Sequence, residues 1–151
     1  MKKRTSIIIG IIALILDQLT KVLFINKNME LIPNVLKIYY WQNKGTIFEI
    51  TNGIKISAIA LESIIIIIPI AIYLVKRYSK AKNNIILSLM LILAGAIGNL
   101  IDILFKGYVI DFINIANSMN CNLSDVFLIG GIILLFIFAI KQAINKKFAK
   151  N

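Results

Sequence analysis

The stretch GNLIDILFKGYVIDF, residues 98–112, decides the fold. It abuts the apolar run IILSLMLILAGAIG, yet it carries two of the chain's four aspartates. A third, Asp125, follows shortly and opens another apolar run. A charged acid near the centre of a bilayer costs roughly 2.5–3.5 kcal/mol on insertion scales. Acids set beside lipid-length apolar segments therefore need a physical reason.

The apolar context extends over the whole chain of 151 residues, a length that suits one domain. Apolar residues make up 59% and the mean hydropathy is +0.86, above the roughly 45–50% apolar share of soluble proteins. Four apolar segments are expected as membrane helices, about residues 7–25, 58–75, 85–105 and 123–140, the last being the shortest. Each approaches the roughly 20 residues needed to span a bilayer core. Backbone groups in lipid must bond internally, so helix is the expected state. The fold class predicted is all-α, four transmembrane helices with a small extracytoplasmic β-cradle, in a single membrane-embedded domain.

Charge sets the expected orientation. The chain has 17 Lys and Arg against 7 Asp and Glu. Most of the basic residues flank the apolar runs, in MKKR, KRYSKAK and KQAINKKFAK. The positive-inside rule then predicts both termini and the central loop in the cytoplasm, with 26–57 and 106–122 outside. The excess of cations is read as topology plus attraction to anionic membrane lipid, not as nucleic-acid binding. The first 25 residues resemble a secretory signal, but DQLTK follows instead of a small-residue cleavage site, so an uncleaved helix is expected. One cysteine, Cys121, permits no internal disulfide. Without His, the usual His/Cys zinc sites and His-based triads are excluded.

Between the first two apolar runs, NVLKIYYWQ is β-branched and aromatic and is followed by the turn-like NKG. The pattern predicts a ribbon, with TIFEI as the returning strand and TNG ending it. An irregular loop anchored by Tyr39, Tyr40 and Trp41 fits the pattern equally well.

Each polar residue near lipid has a structural and a functional reading. Asp17 and Lys21 are four apart and share a helix face, where they can neutralise one another. Asn99 and Asp102 share a face of helix three, preceded by the small residues Ala94, Gly95 and Gly98, which suit close helix packing. Asn122 and Asp125 have the spacing of a helix cap with its reciprocal acid. Asp111, on a loop after helix three, sits among Val109, Ile110, Phe112 and Ile113. The topology brings Asn99, Asp102, Asp111, Asn122 and Asp125 to the same outer membrane face, with Asp17 deeper. Paired carboxyls cannot both ionise cheaply, so one keeps its proton. The ionised partner can take a proton from water while the neutral one donates to a carbonyl. That is peptide hydrolysis with neither metal nor cofactor.

DQLTK at 17–21, NKGTIF at 43–48, GAIGNLID at 95–102, VIDF at 109–112 and NLSD at 122–125 occur in the order and spacing of one family. The chain resembles the lipoprotein signal peptidases (signal peptidase II), bacterial membrane aspartyl proteases. The resemblance implies cleavage of a prolipoprotein signal peptide just before a cysteine carrying diacylglycerol. It also implies a cytoplasmic-membrane enzyme with an outward-facing site, here expected to act as a monomer. By motif position Asp111 and Asp125 would be the catalytic pair. Asn99 and Asn122 would position the pair or the substrate, and Asn43 and Gly45 would lie in the cradle. Asp17, Lys21, Gly98 and Asp102 would support the site. Where the family usually has Arg after the helix-three Asp, this chain has Ile103, and Lys106 one turn on is the candidate substitute. Cys121 stands for the usual Phe and Ser124 for Ala. The competing readings are a proton-relay transporter, which would need polar groups at several depths, and a Mg²⁺-dependent headgroup transferase, which would need clustered acids.

Overall fold

The computed structural model describes residues 2–45, 47–49 and 55–148. Four long helices account for the apolar runs: α1 (Lys3–Leu23), α2 (Ala58–Arg77), α3 (Asn83–Lys106) and α4 (Leu123–Phe148). All four are long and apolar enough to cross a membrane. The helices do not stop where hydropathy does. α1 starts four residues before its apolar run and ends at Leu23, two residues short of the predicted end. The fourth run, the shortest by hydropathy, forms the longest helix, of 26 residues. Its extension, KQAINKK, consists largely of residues that favour helix without being apolar.

α3 is the hub. α1, α2 and α4 each pack on it, while α2 and α4 hardly meet. Half of its apolar window is buried inside the protein, against 11% for α2 and for α4. The outer faces of the other helices stay apolar and exposed, as lipid-facing surfaces must: Ile65, Ile68, Phe136 and Ile140 are all more than half exposed. At the far end of α3, Gly107 adopts φ +77° and turns the chain out of the helix.

Six short strands cap this end of the bundle. β1 (Asn28–Ile32), β2 (Leu36–Asn43), β5 (Val109–Ile115) and β6 (Met119–Cys121) form an antiparallel sheet in the order β1-β2-β5-β6. β3 (Ile47–Glu49) and β4 (Lys55–Ser57) pair separately. Two sequence expectations are corrected here. The NVLKIYYWQ strand does not return through NKG onto TIFEI. β2 instead lies between β1 and β5, with Trp41 opposite Asp111 and Asn43 opposite Val109. Two neighbours of five and seven residues satisfy more of its backbone than the three described residues of β3 could. The predicted TNG turn at 51–53 lies outside the described residues. Asp111 is not on a loop but in β5, whose first four residues are buried. Its neighbour Phe112 stacks on Phe24 at the end of α1, ring centroids 4.9 Å apart, which fixes the strand to the bundle.

Candidate active site

Strand alternation points Val109, Asp111 and Ile115 to one face, where all three line a cleft of about 700 Å³. Asp125, in the first turn of α4, lines the same cleft, as do Asn43, Asn99 and Cys121. The two acids come from a strand and a helix start and meet because β5 is anchored to α3. Asp102 Oδ2 accepts a hydrogen bond from the Ile110 backbone N–H at 3.1 Å, one residue before Asp111.

Asn122 ties the acids together. Its side-chain Nδ2 donates to Asp111 Oδ1 at 2.7 Å, and its backbone N–H donates to Asp125 Oδ2 at 3.0 Å. Its own Oδ1 accepts from the Asp125 backbone N–H at 3.0 Å, completing a reciprocal capping box on α4. The capping reading of this pair holds, and it leaves the nitrogen free for Asp111, because Asn122 uses its oxygen for the cap and its nitrogen for the second acid. The remaining oxygens are also held. Asn43 Nδ2 donates to Asp111 Oδ2 at 2.9 Å, and Asn99 Nδ2 donates to Asp125 Oδ1 at 2.9 Å. Gly45, with φ +61°, turns its N–H onto Asn43 Oδ1 at 2.9 Å and so fixes which end of that amide faces Asp111.

Beneath the acids lies a largely buried ionic layer. Lys21 Nζ is 2.9 Å from Asp17 Oδ2 and 3.1 Å from Asp102 Oδ2, and all three side chains are wholly buried. The i,i+4 pair seen in sequence is therefore not closed on itself, since its lysine crosses to α3. Lys106 Nζ, 2.8 Å from Asp102 Oδ1, supplies the second cation. Two acids and two lysines balance, so the layer adds no net charge below the cleft. Lys106 does sit on the helix end, but it is committed to Asp102 and is not among the residues that line the cleft. Lys21 Nζ also donates to Asn99 Oδ1 at 3.0 Å, and Asn122 Nδ2 adds a second donor there at 3.2 Å. With its oxygen so occupied, the Asn99 amide must turn its Nδ2 to Asp125.

Asp17, below the acid pair, is also tied to the helix that carries Asp125. Its Oδ1 accepts from the Ser124 backbone N–H at 2.7 Å, in the first turn of α4. Gly98 makes this approach possible: a Cβ there would meet Ser124 Oγ and would lie 2.7 Å from Asp17 Oδ2. Two contributors went unassigned in the sequence. Ser124 looked like a neutral replacement for Ala, yet it is fully buried and its backbone N–H holds Asp17. Gln18 donates to Asp17 Oδ2 and to the Gly98 carbonyl, at 3.0 and 3.1 Å. An amide in the middle of an apolar run was the available signal for it, because such a group needs partners in lipid.

Burial pushes the Asp111 carboxyl up to about 6, and the charge of Asp125 adds to the rise. The Asn43 and Asn122 amides oppose it by favouring the ionised form. The Cys121 thiol is raised too, by burial and then by Asp125 and Asp111, so it stays protonated and a poor nucleophile at neutral pH. Among the described residues no group of three or more acids or cysteines is set to hold a metal ion.

The family model for signal peptidase (SPase) II matches residues 9–141. A lipoprotein signal peptidase of Caldicellulosiruptor bescii is 37% identical over 142 residues, which cover 91% of each chain. One from Staphylococcus aureus is 34% identical over 95% of this chain and 92% of its own. A bacterial membrane enzyme solved at 2.3 Å superposes with a TM-score of 0.75 at 30% identity, covering 94% of this chain and 91% of its own. A second, solved at 1.9 Å, gives 0.71 at 32%, covering 91% and 93%. Sequence and architecture agree over nearly the full length, and this multi-pass membrane protein belongs to the signal peptidase II family, peptidases that cleave signal peptides from prolipoproteins.

Proposed function

We propose that the chain is an aspartic endopeptidase in which Asp111 and Asp125 share one proton over the attacking water. The observation that carries the reading is the double grip of Asn122, 2.7 Å from one carboxylate and 3.0 Å from the other, at the head of one cleft. In the reaction the ionised acid takes a proton from water, and the hydroxyl attacks the scissile carbonyl. The protonated acid donates to the carbonyl oxygen. Collapse of the tetrahedral intermediate returns a proton to the leaving amine. Burial biases the shared proton toward Asp111. No metal or cofactor enters the scheme.

The substrate is a prolipoprotein whose cysteine carries diacylglycerol. Below the acids the cleft walls are mostly apolar, with Ile59 and Ile66 on α2 and Ile129 and Ile133 on α4, and with Glu62 and Ser63 as the polar groups of the α2 wall. They suit a lipid-anchored peptide whose scissile bond lies at headgroup depth. Asn43 and Gly45 flank the peptide, while Asn99 and Asn122 orient the acids. Asp17, Lys21, Gly98 and Asp102 brace them from below. The basic end of the bundle faces the cytoplasm with both termini, so the acids face outward across the bacterial cytoplasmic membrane. The enzyme acts as a monomer.

Purified protein in detergent is expected to convert a diacylglyceryl-modified prolipoprotein and to leave the unmodified precursor uncut. Asp111→Asn and Asp125→Asn should each abolish conversion. Turnover retained by either variant removes the assignment of the pair.

A further inference from the structure

At the end of the bundle away from the acids, α2 and α4 leave a groove of about 530 Å³ between them. Ile85 and Leu89 of α3 form its floor. Tyr73 of α2 forms one wall, and Leu135, Ala139 and Gln142 of α4 form the other. The groove is layered by depth. Leu89, Leu135 and Ala139 lie farther into the bundle, and they are apolar. Tyr73 and Gln142 lie nearer the mouth, still inside the segments able to span a membrane. The Tyr73 hydroxyl and the Gln142 amide make no hydrogen bond among the described residues. Polar groups at that depth are costly unless partnered.

Beyond them comes a ring of cations. Lys76 and Arg77 follow Tyr73 by three and four residues and so share its side of α2. Lys82 precedes Ile85 by three on α3, and Lys141 adjoins Gln142. All four are exposed, and none has an ion-pair partner among the described residues. No Asp or Glu occurs in residues 63–101 or 126–148.

Cations outermost, then two hydrogen-bonding side chains on facing walls, then an apolar floor: this is the order of phosphate, ester carbonyl and acyl chain in a phospholipid. We propose that the groove binds one anionic phospholipid of the leaflet it faces. The phosphate lies against Lys76, Arg77 and Lys141. The ester carbonyls accept from Tyr73 Oη and Gln142 Nε2, and one acyl chain follows Leu89, Leu135 and Ala139. Basic pockets between transmembrane helices are suited to such headgroups. A zwitterionic lipid brings its own ammonium into the cation ring and fits it less well. The site is independent of the acid pair and lies at the opposite end of the helices.

Native mass spectrometry of the whole protein in neutral detergent tests the assignment. Phosphatidylglycerol and phosphatidylcholine with identical chains are titrated separately, and inorganic phosphate is added as a competitor. One phosphatidylglycerol should be retained, at least about fivefold more tightly than phosphatidylcholine, and millimolar phosphate should not displace it. The double variant Tyr73→Phe/Gln142→Leu should weaken it about tenfold, or ~1.4 kcal/mol. Ala139→Phe, which fills the groove from its α4 wall, should remove it. Peptidase turnover in neutral detergent should be unchanged in both variants, which shows that they fold. Equal retention of the two lipids, unchanged retention in folded variants, or displacement by phosphate alone overturns the site. Should a variant lose turnover, the ratio between the two lipids on the unaltered protein decides.

Discussion

Adding one methyl group at Gly98 tests the packing beneath the acids. The new Cβ would lie 2.7 Å from Asp17 Oδ2 and 3.4 Å from its Cγ, and it would also overlap Ser124 Oγ. Asp17 cannot step aside, because its carboxylate is held by the Ser124 backbone N–H, Gln18 and Lys21 at 2.7, 3.0 and 2.9 Å. Relief must come from α1 or α4 moving off α3. Overpacking of this kind costs about 1–3 kcal/mol, or about 2–12 °C of melting temperature at about 2–4 °C per kcal/mol for a chain of this size. The same movement draws α4, and with it Asp125, away from Asn99 on α3, so turnover should fall with stability. Gly130→Ala is the internal control: its Cβ would meet nothing within 4 Å, and a helical Gly→Ala change is expected to be neutral or mildly stabilising. Thermal unfolding in detergent and cleavage of a lipid-modified precursor are measured on both variants. In a third, Gly98→Ala/Ser124→Ala, loss of the hydroxyl should restore part of the melting temperature. If Gly98→Ala melts with Gly130→Ala and cleaves as well, the close approach of α1, α3 and α4 is not what holds the site.

Three further outcomes follow from the same geometry. The Asp111 carboxyl stands at about 6, raised chiefly by burial. kcat/KM, which reports the free enzyme, should therefore fall as pH rises through about 6 and the pair loses its shared proton. The folded protein keeps that proton after the unfolded chain has released it, so this contribution to stability is full below the ordinary value of 3.8 and is lost as pH climbs through about 6. A flat rate profile and a flat melting temperature between pH 4 and 8 would contradict both. Lys21→Met leaves Asp17 and Asp102 buried without their shared cation and should cost about 3–5 kcal/mol in unfolding experiments, part of it recovered by adding Asp17→Asn; a loss below about 1 kcal/mol would dismiss the buried layer. Asn122→Ser keeps an oxygen for the α4 cap but loses the donor to Asp111. Stability should fall by about 1–3 kcal/mol, the cost of leaving Asp111 Oδ1 without its donor, with the cap itself kept, while turnover of the folded variant drops more than tenfold; a folded variant with unchanged turnover would show the residue to be a cap alone.

Much of this was legible in the sequence because lipid allows few solutions. Four apolar runs had to be helices, and the paired spacings 17/21, 99/102 and 122/125 marked polar groups on common faces. The sheet was harder to read, because its central pairing joins Trp41 to Asp111 across the whole of α2 and α3. A local turn such as NKG is visible to a reader of sequence, whereas a partner strand beyond two helices is not. The run VIDFINI has the composition of a strand, but its nearness to the end of α3 made it look like a connection. In the site, spacing paired Asp17 with Lys21 correctly but could not show that Lys21 also reaches Asp102 on another helix. Backbone donors such as Ser124 N–H and Ile110 N–H carry no side-chain signature at all.

The way these bonds are shared explains how so small a protein can hold two partly buried acids beside its apolar helices. Each carboxylate oxygen of Asp111 and Asp125 accepts a donor, and the donors come from different elements: Asn43 from β2, Asn99 from α3, Asn122 from the start of α4. None of the three could be replaced by an apolar residue without exposing a buried acceptor, at a cost of about 1–3 kcal/mol each. Neutral amides supply the donors, so they leave the acids' charge unpaired, and one carboxyl can remain near 6. A lysine in the place of Asn43 or Asn122 would hold the geometry as firmly and pull the carboxylate into permanent ionisation. The cations are instead confined one layer down, on Asp17 and Asp102. Stability is thus drawn from charge pairing below and reactivity from charge left unpaired above, and Asn99, touching Lys21 through its oxygen and Asp125 through its nitrogen, is the residue that separates the two.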